Sequence, residues 1–594
     1  MTTIPPPWCS GSPSCQGELQ GELRKETALL LIRRSGSYNT EMTKTGARRG
    51  LLLILLSSGL LWGLPTLQAQ SAGRQLGVAT ESLQASREAM AQLVAGGNAA
   101  DAAVTAALVA GVTNASSSGI GGGAFIHYFD QQSGKSVILD ASEVAPQGVL
   151  ASDFEKRPFA FEQRGKYVGV PGEVAGLYAL HQRFGKLPWA HVVEPAANLA
   201  GRGFQLPAHT ARALHWVEES IRSDPGLSAL WLKGGRLRAR GARVKNPELA
   251  RTLHRIAREG PRALYEGSVA AELVNSARAH GSALSLADLA AYRVVERAPL
   301  TAQWAGYEIR TMPPPSAGGL MLVQALKLFT SDEIRKLEYN TPAFQHALAE
   351  SFRASIADRM RHVGDPDHQP VDLNALLADA RMARRRASIS LERSHALPRF
   401  GLEEHGTHHL NTADAAGNVV ALTTTVNRAF GARILAPKSG VVLNDELDDF
   451  TALASVAPFG MEESPNRPRP GARPVSSMTP TIVVKHGKAV LAAGGSGGMN
   501  IATNVAQLVI SKLAFDIDTF KLLKKWRFTI PTQGAFIALP ESAQKTHQVD
   551  LERRGEIVAR FQHDLSAVQI ILIDDQGRKD PASDPRKFGH AMVR

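Results

Sequence analysis

The chain predicts a mixed α/β (α+β) protein, and three observations carry that prediction. Alanine-rich helical segments alternate with short apolar strands in the first half, and short β-branched strands dominate after residue 406. A hydrophobic content of 44% with 21% charged residues is that of a soluble globular chain. At 594 residues there is room for two or more ordinary domains, or one large one.

The N-terminus reads as targeting sequence. Met42 is a better start than Met1: Lys44, Arg48 and Arg49 form a positive region, Leu51 to Leu64 an apolar core, and Pro65 to Ala72 a small or polar tail. That pattern predicts a signal peptide over 42–71, after a doubtful extension over 1–41, and hence an exported, periplasmic or secreted protein. Arg48-Arg49-Gly50-Leu51-Leu52 resembles a twin-arginine signal, so Sec and Tat export both stay open. Cys9 and Cys15, the only cysteines, lie in the extension, which excludes thiol catalysis and cysteine metal sites from the body. Without the first 71 residues, which hold seven Lys/Arg and four Asp/Glu, the net charge of +12 falls to +9. Those charges are dispersed, and the densest run, Arg384-Arg385-Arg386, reads as a solvated helix face rather than a nucleic-acid site.

Along the body, apolar spacing predicts helices over Ser82–Ala95 and Ala99–Val112, broken by Gly96-Gly97-Asn98. A Ser/Gly tract, Ser116 to Gly123, feeds a strand over Ala124–Phe129. From Pro171 to Leu326 the pattern is mostly amphipathic helix, interrupted by a strand at Trp304–Thr311 and a triple proline. Leu391 to His405 reads as a mobile linker, and Ile501–Leu513 as a helix.

After the linker stands a Gly406-Thr407 bond, just before what reads as two strands: Val419 to Leu422 is apolar, and Thr423 to Val426 is β-branched throughout. A Gly-Thr bond before a buried strand is where an autoprocessing hydrolase would cut. The new N-terminal threonine then supplies a hydroxyl nucleophile and, in its α-amine of pKa about 7.7–8.0, a base. His408 and His409 are adjacent on a strand and point to opposite faces, so they predict no shared metal ion.

From about Leu76 to Ser511 the chain resembles the γ-glutamyltransferase family, block after block in the same order. The blocks include Gly96-Gly97-Asn98-Ala99-Ala100-Asp101, Ser117-Ser118-Gly119-Ile120-Gly121-Gly122-Gly123, Pro313-Pro314-Pro315-Ser316-Ala317-Gly318-Gly319, Ala357-Asp358-Arg359, Asp448-Asp449-Phe450, Arg473-Pro474-Val475-Ser476-Ser477-Met478 and Gly494-Gly495-Ser496-Gly497-Gly498. The resemblance implies a four-layer αββα N-terminal-nucleophile hydrolase sandwich. It implies a large subunit over 72–406 and a small catalytic subunit over 407–594, forming a heterodimer after cleavage, with no cofactor and no metal. It assigns Thr407 as nucleophile, Thr425 as its hydrogen-bond partner, and Gly497 and Gly498 as oxyanion donors. Asn427, Glu446 and Asp449 match residues that bind the donor's α-amine, and Ser476 and Ser477 match residues that bind its α-carboxylate.

Two places depart from the family. Ser142, in Asp140-Ala141-Ser142-Glu143, stands where the family has its carboxylate-binding arginine; Arg428 or Arg433 is a candidate replacement. Lys524 to Ile530 replaces a Pro-Arg-(Phe/Ile)-His-His stretch. The expected function is a γ-glutamyl hydrolase or transferase, passing the acyl group of a glutathione-like donor to water, amino acids or peptides. The alternatives are a glutaryl or cephalosporin-type acylase, which Ser142 favours, and an inactive binding homologue. Thr451 to Pro470 is a candidate lid.

Overall fold

The computed structural model describes residues 74–155, 158–395, 406–451, 463–530, 536–561 and 566–594. The extension, the signal peptide, residues 396–405 of the linker and residues 452–462 of the candidate lid lie outside the described residues.

Thirteen strands build two principal sheets. In chain order they are β1 (Gly77–Thr80), β2 (Gly123–Asp130), β3 (Lys135–Ala141), β4 (Val295–Arg297), β5 (Leu300–Trp304), β6 (Tyr307–Thr311), β7 (His408–Ala413), β8 (Val419–Thr425), β9 (Thr481–Lys485), β10 (Lys488–Ser496), β11 (Ala567–Ile573), β12 (Lys579–Ser583) and β13 (His590–Val593). The first sheet runs β13-β1-β7-β8-β2-β3-β4 and the second β12-β11-β10-β9-β6-β5. Every pairing in both is antiparallel, so the class is α+β.

The alternation of side chains along a strand sorts the layers. On β8, Val419 and Ala421 face the second sheet, where they meet Ile482, Val484, Ala492 and Ile571. Val420 and Leu422 face outward, against the helices α1 (Leu83–Val94), α2 (Ala99–Thr113), α3 (Glu173–Phe184) and α4 (Trp189–Arg202). Across the molecule, α5 (Gly318–Leu328), α6 (Pro342–His362) and α7 (Asn500–Phe515) cover Val483, Leu491, Val568 and Ile570 of the second sheet. The result is a helix–sheet–sheet–helix sandwich. All fifteen residues of α2 are buried, which explains why its sequence is apolar all round rather than striped. Asn98 caps α2 through the amides of Ala100 and Asp101, both at 3.1 Å, so the Gly96-Gly97-Asn98 break is a true helix start.

Three expectations need correction. Trp304–Thr311 is the end of one strand and the whole of the next, a hairpin turned at Ala305 and Gly306, both with positive φ. The Arg384-Arg385-Arg386 run is not simply solvated: Arg385 joins Arg381 on the buried Asp358 carboxylate, and Arg386 pairs with Glu333 and lies 4.6 Å over the Phe329 ring. These guanidiniums hold Asp358 well below the usual carboxylate range despite its burial. The start of the linker is also docked, since the Ser394 amide donates to the Arg554 carbonyl at 2.7 Å and His395 Nδ1 lies 2.7 Å from Glu350.

Candidate active site

Thr407 and Thr425 meet because β7 and β8 pair with His408 opposite Thr424. Continued by one residue, that register sets Thr407 against Thr425, and parity turns both toward the second sheet. Their hydroxyls lie 3.2 Å apart. Thr425 Oγ1 also accepts the Asn427 amide at 2.8 Å, which leaves its own proton free to point at Thr407 Oγ1. The Thr407 N–H donates to the Ser117 carbonyl at 3.2 Å, so the Ser/Gly tract holds the nitrogen.

The backbone at the Gly406-Thr407 bond is strained. Thr407 has φ of 92°, a conformation that β-branched residues rarely adopt and that costs on the order of 1–3 kcal/mol. Cleavage of the Gly406-Thr407 bond removes that torsion altogether, because φ is defined through the preceding carbonyl carbon. Gly406 has φ of 145°, and a Cβ there would run into the Asn427 carbonyl, so only glycine fits.

Opposite this bond, β10 is followed by Gly497 and Gly498, with φ of 116° and 61°. The Gly497 N–H donates to the Gly406 carbonyl at 3.3 Å. That carbonyl is the one Thr407 would attack, so a predicted oxyanion donor is already in contact with the scissile group. A cavity of ≈ 20 Å³ beside it, bordered by Ser117, His209, Gly406, Gly497 and Lys587, has room for about one water.

The predicted amine-binding residues assemble next to this pair. Asn427 Nδ2 donates to Asp449 Oδ1 and to the Asp445 carbonyl, both at 3.1 Å. Glu446 and Asp449 lie on one short 3-10 turn, Glu446–Asp449, and both are buried. Burial pushes the neighbouring Asp445 carboxyl up to about 6. Arg428 pairs with Asp448, donates its amide to Asp445 at 2.9 Å, and keeps a half-exposed guanidinium. Arg433 contacts Ser220 Oγ at 3.3 Å instead.

Ser476 and Ser477 are braced from two sides. The Ser476 carbonyl accepts the Ala317 amide at 2.9 Å, from the triple-proline block. Arg359 donates to Ser477 Oγ and, at 3.3 Å, to the Val475 carbonyl. The Ser477 hydroxyl in turn donates to Met499 Sδ at 3.5 Å.

Ser142 is not such a donor. It is buried, and its hydroxyl is spent on Asp140 Oδ1 at 2.6 Å, within an Asp140 network that includes Arg297 at 2.7 Å and Arg473 at 3.7 Å. Arg473 in turn donates to the Ser142 carbonyl at 2.5 Å and the Arg293 carbonyl at 2.9 Å, so it is committed to the scaffold.

His408 and His409 do face opposite ways. His409 lies on Thr423 at 2.8 Å and Asn411 at 3.2 Å, while His408 lies within electrostatic reach of Lys587. Burial pushes both down to about 3, leaving them neutral. Among the described residues, one His/Glu cluster is dense enough for a metal, His346, Glu350 and Glu556, but Arg353 pairs with both glutamates there. The divergent Lys524–Ile530 stretch is structural: Phe528 and Ile530 are core, and Arg527 pairs with Asp584 at 2.5 Å.

Sequence reasoning missed three buried ionisable groups near the threonine pair. Glu173, on the outer layer, accepts from Thr424, and burial pushes it up to about 7. Glu143 is pushed up well beyond the carboxylate range by burial, with Glu173 and Asp449 adding to it. Lys587 contacts Thr407 itself.

A four-layer sandwich with a threonine opening a central strand defines the N-terminal-nucleophile hydrolase class. The sequence profile described as Gamma-glutamyltranspeptidase matches residues 85–594. Glutathione hydrolase 2 of Arabidopsis thaliana is 34% identical over 543 residues, 86% of this chain and 92% of that protein. Glutathione hydrolase proenzyme of Escherichia coli (strain K12) is 31% identical over 505 residues, 83% and 87% of the two chains. The crystal structure of cephalosporin acylase from Bacillus halodurans superposes with a TM-score of 0.79 at 24% identity, over 91% of this chain and 99% of that one, a likeness of fold. The chain belongs to the γ-glutamyltranspeptidase family, and it is an enzyme of that family's hydrolase and transferase type.

Proposed function

We propose that the chain cleaves itself before Thr407 and then transfers γ-glutamyl groups from glutathione-like donors to water or to amino-acid and peptide acceptors. The contact of the Gly497 amide with the Gly406 carbonyl, next to the Thr407–Thr425 hydroxyl pair, carries this reading. Thr407 Oγ1 adds to the Gly406 carbonyl carbon and the C–N bond breaks. The nitrogen gains a proton as an ester forms, and water then hydrolyses that ester. The products are a large subunit over 72–406 and a small subunit over 407–594.

In turnover the freed α-amine takes the Oγ1 proton while Oγ1 attacks the donor's γ-carbonyl. The amide C–N bond breaks, and the proton passes to the departing amine. Water or an acceptor amine then attacks the acyl-enzyme. Four carboxylates, Asp445, Glu446, Asp448 and Asp449, stand against Arg428 and Arg433, so a donor ammonium between Glu446 and Asp449 offsets excess negative charge.

Arg428 takes over part of the missing arginine's role toward the α-carboxylate. Arg428→Ala is expected to raise the KM for a γ-glutamyl anilide by about tenfold, the low end for a hydrogen bond to a charged group. An unchanged KM removes Arg428 from the site. The spent hydroxyl of Ser142 keeps a second reading alive, an acylase taking donors without an α-carboxylate contact. No helix among the described residues is long and apolar enough to cross a membrane, and the leader-like sequence before residue 72 supports export. Sequencing the N-termini of the purified protein tests the central step: the reading requires a fragment that begins at Thr407, and an intact chain contradicts it.

A further inference from the structure

Lys587 ends the short turn Pro585–Lys587 near the C-terminus and is 3% exposed. Its ammonium donates to the Thr407 carbonyl at 3.3 Å and to Ser496 Oγ at 2.6 Å, and lies 3.6 Å from Glu81 Oε2. A buried ammonium is costly to desolvate unless it is paired, and here the nucleophile is one of its partners.

We propose that Lys587 is a positioning residue that keeps the Thr407 α-amine neutral, and so able to act as a base, while fixing the nucleophile against the oxyanion strand. This rests on the threonine-nucleophile function proposed above. The carbonyl oxygen and nitrogen of one residue are roughly 3 Å apart, so the ammonium lies within about 6 Å of the α-nitrogen. A cation at that range disfavours protonation of the amine. At an effective dielectric constant of about 20 the effect is roughly two pH units, and the opposing charge of Glu81 reduces it to about one.

The surroundings leave the lysine's charge little else to compensate it. Glu81 is its direct counter-charge, and the Glu81 Oε1 atom is taken by the His409 amide at 3.2 Å. Asp584, on the same turn, is bound by Arg527 at 2.5 Å and Arg586 at 3.1 Å. Arg212 adds positive charge, and the buried His209 and His408 stay neutral. Burial pulls the Lys587 ammonium down, and Glu81 opposes that pull. Ser496 immediately precedes Gly497, so one ammonium ties Thr407 to the strand whose amide meets the scissile carbonyl.

The test is the acid limb of kcat/KM, which reports the essential base of the free enzyme. With Lys587 present the amine sheds its proton at lower pH, so removing the charge moves the limb upward. Lys587→Met is expected to raise it by about one pH unit, with KM changed less than twofold, whereas Lys587→Arg leaves it in place. If the methionine variant does not mature, Lys587→Gln keeps a donor without charge and takes its place. A limb that stays put in the uncharged variants, or that moves equally in the arginine variant, overturns the proposal. Profiles are run on whichever of γ-glutamyl and glutaryl anilide the wild type cleaves, so the lysine's effect and the donor's identity fail separately.

Discussion

Thr407→Ala remains one uncut chain and loses on the order of 10⁶ in kcat on any anilide. On the function proposed above, the Thr407 hydroxyl is both the agent of processing and the site of acylation. Thr425, the hydroxyl 3.2 Å away, lies within a strand and carries no free amine. Loss of the attacking atom in comparable hydrolases leaves only the residual catalysis of binding and oxyanion contacts, on the order of 10³–10⁴ over water. Gel analysis and mass spectrometry check the first half of the expectation, and a stopped assay with concentrated protein the second. A variant that still splits at residue 407 would mean that the cut is made by another group or another protein.

Gly497→Ala damages both processing and turnover, because one amide serves both reactions. In the uncut chain that amide already contacts the Gly406 carbonyl at 3.3 Å; on the function proposed above, the same position receives the carbonyl of a donor after cleavage. Alanine at φ of 116° is strained, so the loop shifts and the N–H swings off its target. Loss of one oxyanion donor costs about 10²–10³ in kcat, and KM should change little, since the contact tightens in the transition state. The rate of precursor cleavage and the kcat of the mature fraction are measured on the same preparation. Proportional loss supports one shared hole, whereas normal kcat with slow processing separates the two roles.

Much of this site was legible in the chain because its signals are local. The β-branched run Thr423 to Val426 specifies a buried strand, and strand parity then places Thr425 beside Thr407. Asn98 and Asp101 announce the start of α2 in their own side-chain chemistry. What stayed hidden depends on distant partners. Lys587 reaches Thr407 across 180 residues of sequence, and an isolated lysine in a turn carries no mark of burial. The Arg384-Arg385-Arg386 run reads as solvent-facing until Asp358, on another helix, is brought beneath it. Ser142 shows the opposite case: the missing arginine was visible as a substitution, but the commitment of its hydroxyl to Asp140 is a fact of packing.

The central claim is that a γ-glutamyl group is the transferred acyl unit, recognised through its ammonium by Asn427, Glu446 and Asp449. The most direct measurement is kcat/KM for γ-glutamyl against glutaryl anilide, two donors that differ only in the α-amine, with Thr407→Ala as the blank. The account predicts a preference for γ-glutamyl, removed by Asp449→Ala. A preference for glutaryl would contradict it, and would mean that Asn427, Glu446 and Asp449 do not select the donor through an ammonium.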